Sequence, residues 1–165
     1  MTDDLPAGVV DVFKRTLTCE FSTVAKPDDR PVASPMTHLW RDDLGHFVLS
    51  SSVVVPRKLY RLHDDPRVSL SFTHFAGSGL TAPSPVLVQG EASLADGLFG
   101  AEGMEDFWRE MFRKKPDWQE LDFDPDDGEV STRTRMYWRV RITVRPRRIW
   151  VLRGSEGKQE LERVR

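Results

Sequence analysis

The stretch from His46 to Phe75 constrains this chain most. His46 to Ser52 reads as a strand that ends in three small hydroxyls, Ser50, Ser51 and Ser52. Val53-Val54-Val55-Pro56 then delivers two adjacent cations, Arg57 and Lys58. Pro56 to His63 fits a short helix that stops before Asp65-Pro66, because a residue preceding proline is biased away from helix. Arg67 to Phe75 returns as a strand. Hydroxyls and fixed cations converging at a strand end suit a phosphate oxygen, since charge-assisted hydrogen bonds are the strong ones. The competing reading of Arg57 and Lys58 is a pair of solvated charges. Cations at a helix N-terminus are electrostatically unfavourable, however, and an anion there gives their placement a reason.

The rest of the chain supplies further strands. Leu17 to Ala25 and Pro31 to Trp40 read as two strands joined by the turn-rich Lys26-Pro27-Asp28-Asp29-Arg30. Val86 to Leu94 follows the glycine- and proline-rich 77–85 loop, and Thr132 to Val144 and Arg147 to Val151 read as the last two strands. Pro6 to Lys14 and Ala101 to Lys115 carry apolar residues at helical spacing, the second with Met104, Phe107, Trp108, Met111 and Phe112 on one face. Consecutive antiparallel strands with short turns predict a mainly β fold, a small barrel of six or seven strands with peripheral helices. Closure of the barrel is expected to remove the exposed edges. Residues 1–165 are read as a single domain.

Composition excludes several function classes. A net charge of -2 gives no global attraction to nucleic acid. The basic run Arg139-Val140-Arg141-Ile142-Thr143-Val144-Arg145 alternates like a half-exposed strand. No stretch approaches the roughly 20 apolar residues of a membrane span. Met1-Thr2-Asp3-Asp4 lacks the features of a secretory signal, so a cytoplasmic protein is expected. Cys19 is the single cysteine, which rules out an internal disulfide, and its apolar run predicts a buried, inert thiol.

No catalytic motif stands out. There is no nucleophile elbow, phosphate-loop pattern or dinucleotide fingerprint. His38, His46, His63 and His74 do not fall at metal-ligand spacing. The acidic 122–129 loop lacks the spacing of a calcium loop. No catalytic residue and no metal ligand is assigned. A protein that leaves the chemistry to a bound cofactor needs only a phosphate anchor, backbone groups and an apolar wall.

Ordered segments of the chain resemble the pyridoxamine-phosphate-oxidase-like split-barrel family. Arg30 to Trp40 is similar to its second strand, Phe47 to Phe72 to its strand, Arg-Lys loop, helix and strand unit, and Val88-Gln89-Gly90-Glu91-Ala92 to the strand that follows. Tyr137-Trp138-Arg139-Val140 and Arg147-Arg148-Ile149-Trp150 resemble its C-terminal strands. The resemblance implies a split β-barrel that binds FMN, or alternatively the deazaflavin coenzyme F-420, at a homodimer interface. Carried over residue by residue, it implies that Arg57 and Lys58 hold the phosphate with Ser50, Ser51 and Ser52. It places Met36, Thr37 and His38 along the ring edge, and Trp138 near the site.

Departures from the family pattern narrow the expectation. Ser34 and Leu39 stand where true pyridoxamine-phosphate oxidases place basic residues, and Pro85 stands where they place a glutamine. Gly154-Ser155-Glu156-Gly157-Lys158 lacks their Arg-x-His. The expected function is therefore that of a flavin- or deazaflavin-dependent oxidoreductase passing hydride to or from a small conjugated substrate. A non-catalytic flavin- or haem-binding barrel is the alternative. Phe107, Trp108, Met111, Phe112, Tyr137 and Trp138 offer more apolar surface than one barrel needs, which predicts a dimer. His38, on the ring-edge strand, is the first candidate for a proton donor.

Overall fold

Alternation of apolar and polar residues sets the strands. In β1 (Cys19–Ala25) Cys19, Phe21 and Thr23 point inward, and in β5 (Arg67–Phe72) Val68, Leu70 and Phe72 do the same. The computed structural model describes residues 5–99, 103–116, 138–155 and 158–165. Besides β1 and β5 these form β2 (Arg30–Met36), β3 (Leu39–Arg41), β4 (His46–Ser52), β6 (Val86–Leu94), β7 (Arg139–Ser155) and β8 (Lys158–Arg163). The helices are α1 (Ala7–Arg15), α2 (Arg57–Asp64) and α3 (Glu105–Lys114). The expected acidic 122–129 loop and Tyr137 lie outside the described residues.

All pairings are antiparallel, in the order β2-β1-β5-β6-β7-β4-β3, with β8 added to β7. The two ends of this path, β2 and β3, are separated in the chain by Thr37 and His38 alone. Such a link holds the flanking Cα atoms within about 11 Å. The sheet must therefore curl until its edges nearly meet. Among the described residues no pairing joins β2 to β3, so the barrel is split at this seam and the expected closure by hydrogen bonding is not completed. Pro31 and Pro35 on β2 suit an edge, because proline offers no donor to an incoming strand.

Three boundaries differ from the sequence reading. Pro31 to Trp40 is two strands, broken at the seam. Residues 132–137 of the first expected C-terminal strand lie outside the described residues; the rest of it and the expected Arg147–Val151 strand are one 17-residue strand, β7, and the eighth strand, β8, was not foreseen. Continuity of β7 is possible because Pro146 lies opposite Gly90 at a register shift in the β6–β7 pairing, where a missing N–H costs no regular ladder bond.

The barrel is filled by an aromatic cluster. Phe13 from α1 packs 4.8 Å from Phe47, 5.0 Å from Trp40 and 5.1 Å from Phe72, centroid to centroid. A second cluster joins Met104, Phe107, Trp108 and Met111 to Val48. The α3 face is thus core. Phe107, Trp108 and Met111 are buried within one chain and do not supply the surplus apolar surface expected of an interface. Asp106 holds α3 to β3 and β7 through Arg41 at 2.8 Å and Arg141 at 3.6 Å. No helix among the described residues is long and apolar enough to cross a membrane.

Candidate functional site

The seam opens into a cavity of about 210 Å³. Its floor is the end of β4, where Ser50, Ser51 and Ser52 are all buried. Met36 and Thr37 form the seam wall, Lys58 enters from α2, and Phe107, Met111 and Lys115 close the α3 side. Arg139 arrives from β7, because antiparallel pairing sets it opposite Ser52. Its Nε donates to Ser50 Oγ at 2.6 Å, and its guanidinium carbon lies 5.6 Å from the Trp108 ring centroid.

The electrostatics of this cavity are those of an anion site. Lys58 is half-buried and makes no ion pair among the described residues. Burial lowers its pKa first, and the neighbouring cations Arg61 and Arg139 push it the same way. The Lys58 ammonium rests 2.7 Å from the Met36 thioether, a weak acceptor. Arg61 is likewise lowered, by burial and by Arg57. Ser34 Oγ, two residues before Met36 and outside the cavity lining, is buried with no hydrogen-bond partner among the described residues. An oxyanion seated in the cavity would neutralise Lys58 and Arg139 and accept from the serine hydroxyls of its floor.

Most of the expected residues meet here, and three do not. Met36, Thr37, Ser50, Ser51, Ser52 and Lys58 line one cavity. Arg57 is exposed outside it. Trp138 is 39% exposed and is not part of the lining, although its carbonyl accepts from Val53 N at 3.1 Å. His38 turns the other way. Its ring is fully buried, 5.0 Å from Phe72 and 6.0 Å from Phe47. Nε2 lies 2.9 Å from the Phe13 carbonyl, while Nδ1 has no hydrogen-bond partner among the described residues.

Burial and, after it, the Lys114 ammonium hold His38 well below the usual histidine range. A neutral ring enclosed by phenylalanines cannot deliver a proton to a substrate in the cavity, so the proton-donor expectation is withdrawn. It carries a stability signature instead. The unfolded chain takes up a proton at His38 near pH 6.5 and the folded chain does not. Its contribution is therefore present above pH 6.5 and falls by about 1.4 kcal/mol per pH unit below it. Chemical denaturation between pH 4.5 and 7.5 should show this slope in the wild type and lose one proton of it in His38→Gln. Equal slopes in both proteins would reject the assignment.

Arg139, Lys115, Phe107 and Met111 were not foreseen as site residues. Arg139 gave only a strand signal, and the Lys114-Lys115 pair only a helix end. Cys19 agrees with expectation: it is buried, with its thiol pushed up to about 12, mainly by burial.

No protein-family model and no curated protein sequence matches the chain. Solved structures do. A protein of the pyridoxinephosphate oxidase family from Clostridium acetobutylicum, related to general stress protein 26, superposes with a TM-score of 0.58 at 13% identity, covering 93% of this chain and 90% of its own. An F420 reductase gives 0.59 at 18% identity, covering 88% of this chain and 98% of its own. A heme binding protein from Mycobacterium smegmatis gives 0.55 at 17% identity, covering 96% of this chain and 59% of its own. The fold is the pyridoxamine-phosphate-oxidase-like split barrel. At these identities the likeness is one of fold.

Proposed function

We propose that this split barrel is a flavin-dependent oxidoreductase whose seam cavity grips the phosphate of FMN, with a deazaflavin as the alternative cofactor. One observation carries the reading: Lys58, with its pKa lowered by burial, lines a cavity beside three buried serines and among other cations. Lys58, Arg139 and the hydroxyls of Ser50, Ser51 and Ser52 would hold the phosphate. Met36 and Thr37 would flank the ring edge, and Phe107 and Met111 would keep water from that side. When bound, the flavin supplies hydride transfer, which suits a small conjugated substrate and asks no nucleophile or metal of the chain.

At about 210 Å³ the cavity is smaller than the sites that usually enclose a cofactor-sized ligand. Part of the cofactor must lie beyond it. An apolar rim stands at the mouth: Val55, which lines the cavity, is 64% exposed, and its chain neighbour Val54 48%. A second copy of the chain covering this rim would complete the site, so a homodimer belongs to the proposal. The haem alternative draws no support from His38, whose ring is sealed in the core.

The absorbance spectrum of purified protein, followed by calorimetric titration of FMN, of F-420 and of haem, tests the reading. Saturable binding of one flavin per chain by a dimer in sedimentation is the expected result. Binding of haem alone, or of nothing, would overturn it.

A further inference from the structure

Two facing walls of the cavity come from parts of the chain that the sheet does not join. One is the seam, where Met36 ends β2 and Thr37 begins the crossing to β3. The other is α3, which brings Phe107 and Met111, with Lys115 just past its end. Lys114 lies between them, its side chain 0% exposed. Successive helix residues point about 100° apart, so Lys115 reaches the cavity while Lys114 turns inward. Lys114 Nζ donates to the His38 carbonyl at 2.7 Å, lies 3.3 Å from His38 Nε2 and pairs with Glu110 Oε1 at 3.4 Å. A seam carbonyl has no adjoining strand to satisfy it, and here a side chain does so.

We propose that Lys114 is the positioning residue of this cavity: one buried amino group ties α3 to the seam peptide and fixes the spacing between the Met36–Thr37 wall and the Phe107–Met111 wall. Its consequence for FMN rests on the function proposed above; the tie itself does not.

The charges around Lys114 make the tie sensitive to pH. From α3 itself Glu110 favours the ammonium and Arg113 opposes it; from β1 comes Cys19, and from the seam His38. Lys58 on α2 faces Cys19 from the far side. Packed α1 presents the Thr16 hydroxyl to His38 and the Lys14 carbonyl to Arg113, while Lys14's own charge pairs outward with Asp42. Burial outweighs Glu110 and brings Lys114 down to about 8. His38 stays neutral and Cys19 protonated across that range, so Lys114 is the group of this cluster that changes charge as pH rises through 8. Opening of the seam or of α3 returns Lys114 to water and to its ordinary higher range, so above pH 8 opening takes up a proton and becomes harder as pH rises.

Hydrogen-exchange protection of residues 36–40 and 104–114, corrected for intrinsic rates, is the test, read from pH 6.5 to 9.5. Wild type should show a rising step, gaining protection in both segments above pH 8 by up to about tenfold per pH unit, the linkage slope of one proton. Lys114→Met should lack that step and, with the donor to the His38 carbonyl gone, start from lower protection than wild type at pH 6.5, while resistance to global unfolding by urea is kept or raised. A merely structural lysine would lower both together. Glu110→Gln keeps the amine and should move the step to lower pH, which decides the matter if the methionine variant does not fold. Protection unchanged in both variants, or a wild-type profile without the step, would overturn the proposal. FMN titration adds a separate arm: about tenfold weaker binding is expected in Lys114→Met. If wild type binds no flavin, the proposed function fails while the exchange data still decide the role of Lys114.

Discussion

Replacing Lys58 and Arg139 together by alanine should weaken FMN binding about a hundredfold or more, whereas Arg57→Ala should change it by no more than about threefold. Two bonds from charged donors contribute roughly 1.5–3 kcal/mol each, and a hundredfold already discounts their sum for coupling between neighbours. The asymmetry between adjacent residues follows from geometry. Lys58 lines the cavity and is partly desolvated, while Arg57 stands exposed in solvent, where an ion pair is screened and contributes little. Lys58→Ala alone should leave the apoprotein as stable or slightly more so, because it removes a cation crowded by Arg61 and Arg139. Arg139→Ala alone should destabilise modestly, because Ser50 loses its donor. Calorimetric titration of FMN at two salt concentrations reads all of this. A loss in Arg57→Ala as large as in the double variant would move the phosphate out of the seam.

What the sequence showed of this site, and what it hid, has a physical pattern. Ser50, Ser51, Ser52 and Lys58 were legible because they belong to one local unit, a strand end and the helix after it. Arg139 was not, because it lies 89 residues from Ser50 and reaches it only through the β4–β7 register. Nothing local specifies that pairing. His38 was misplaced for a related reason. The resemblance carried Met36, Thr37 and His38 over as one consecutive ring-edge run, but the chain breaks at the seam and the His38 ring falls into the Phe13, Phe47 and Phe72 cluster instead. The stripe on α3 was legible as an apolar face, yet periodicity cannot say whether such a face meets the same chain or another. Its burial against Val48 within one chain required the tertiary structure.

Gly90→Ala should be among the most damaging single substitutions in the sheet. A Cβ added at Gly90 would stand 2.4 Å from the Arg145 carbonyl oxygen and 3.2 Å from Pro146 Cα, both backbone atoms. Neither can swing aside as a side chain would. β6 is clamped between β5 and β7, so relief requires the register shift at Gln89–Gly90 to reorganise. Overpacking usually costs about 1–3 kcal/mol, and a backbone clash in a central strand belongs at or above the upper end. For a chain of this length about 3 kcal/mol corresponds to a fall in melting temperature of roughly 6–12 °C. The effect should reach the cavity too, because the strand that bends at Pro146 is the one that carries Arg139 to Ser50. Gly8→Ala is the matched control: nothing lies within 4 Å of its Cβ, and alanine in α1 should add about 0.5–1 kcal/mol by helix propensity. Thermal melts of the two variants, with FMN titration of whichever folds, separate a steric demand at the bend from general intolerance of the larger residue. Equal melting temperatures for Gly90→Ala and wild type would show that β6 and β7 can part without cost, and the bend could no longer be held to position Arg139.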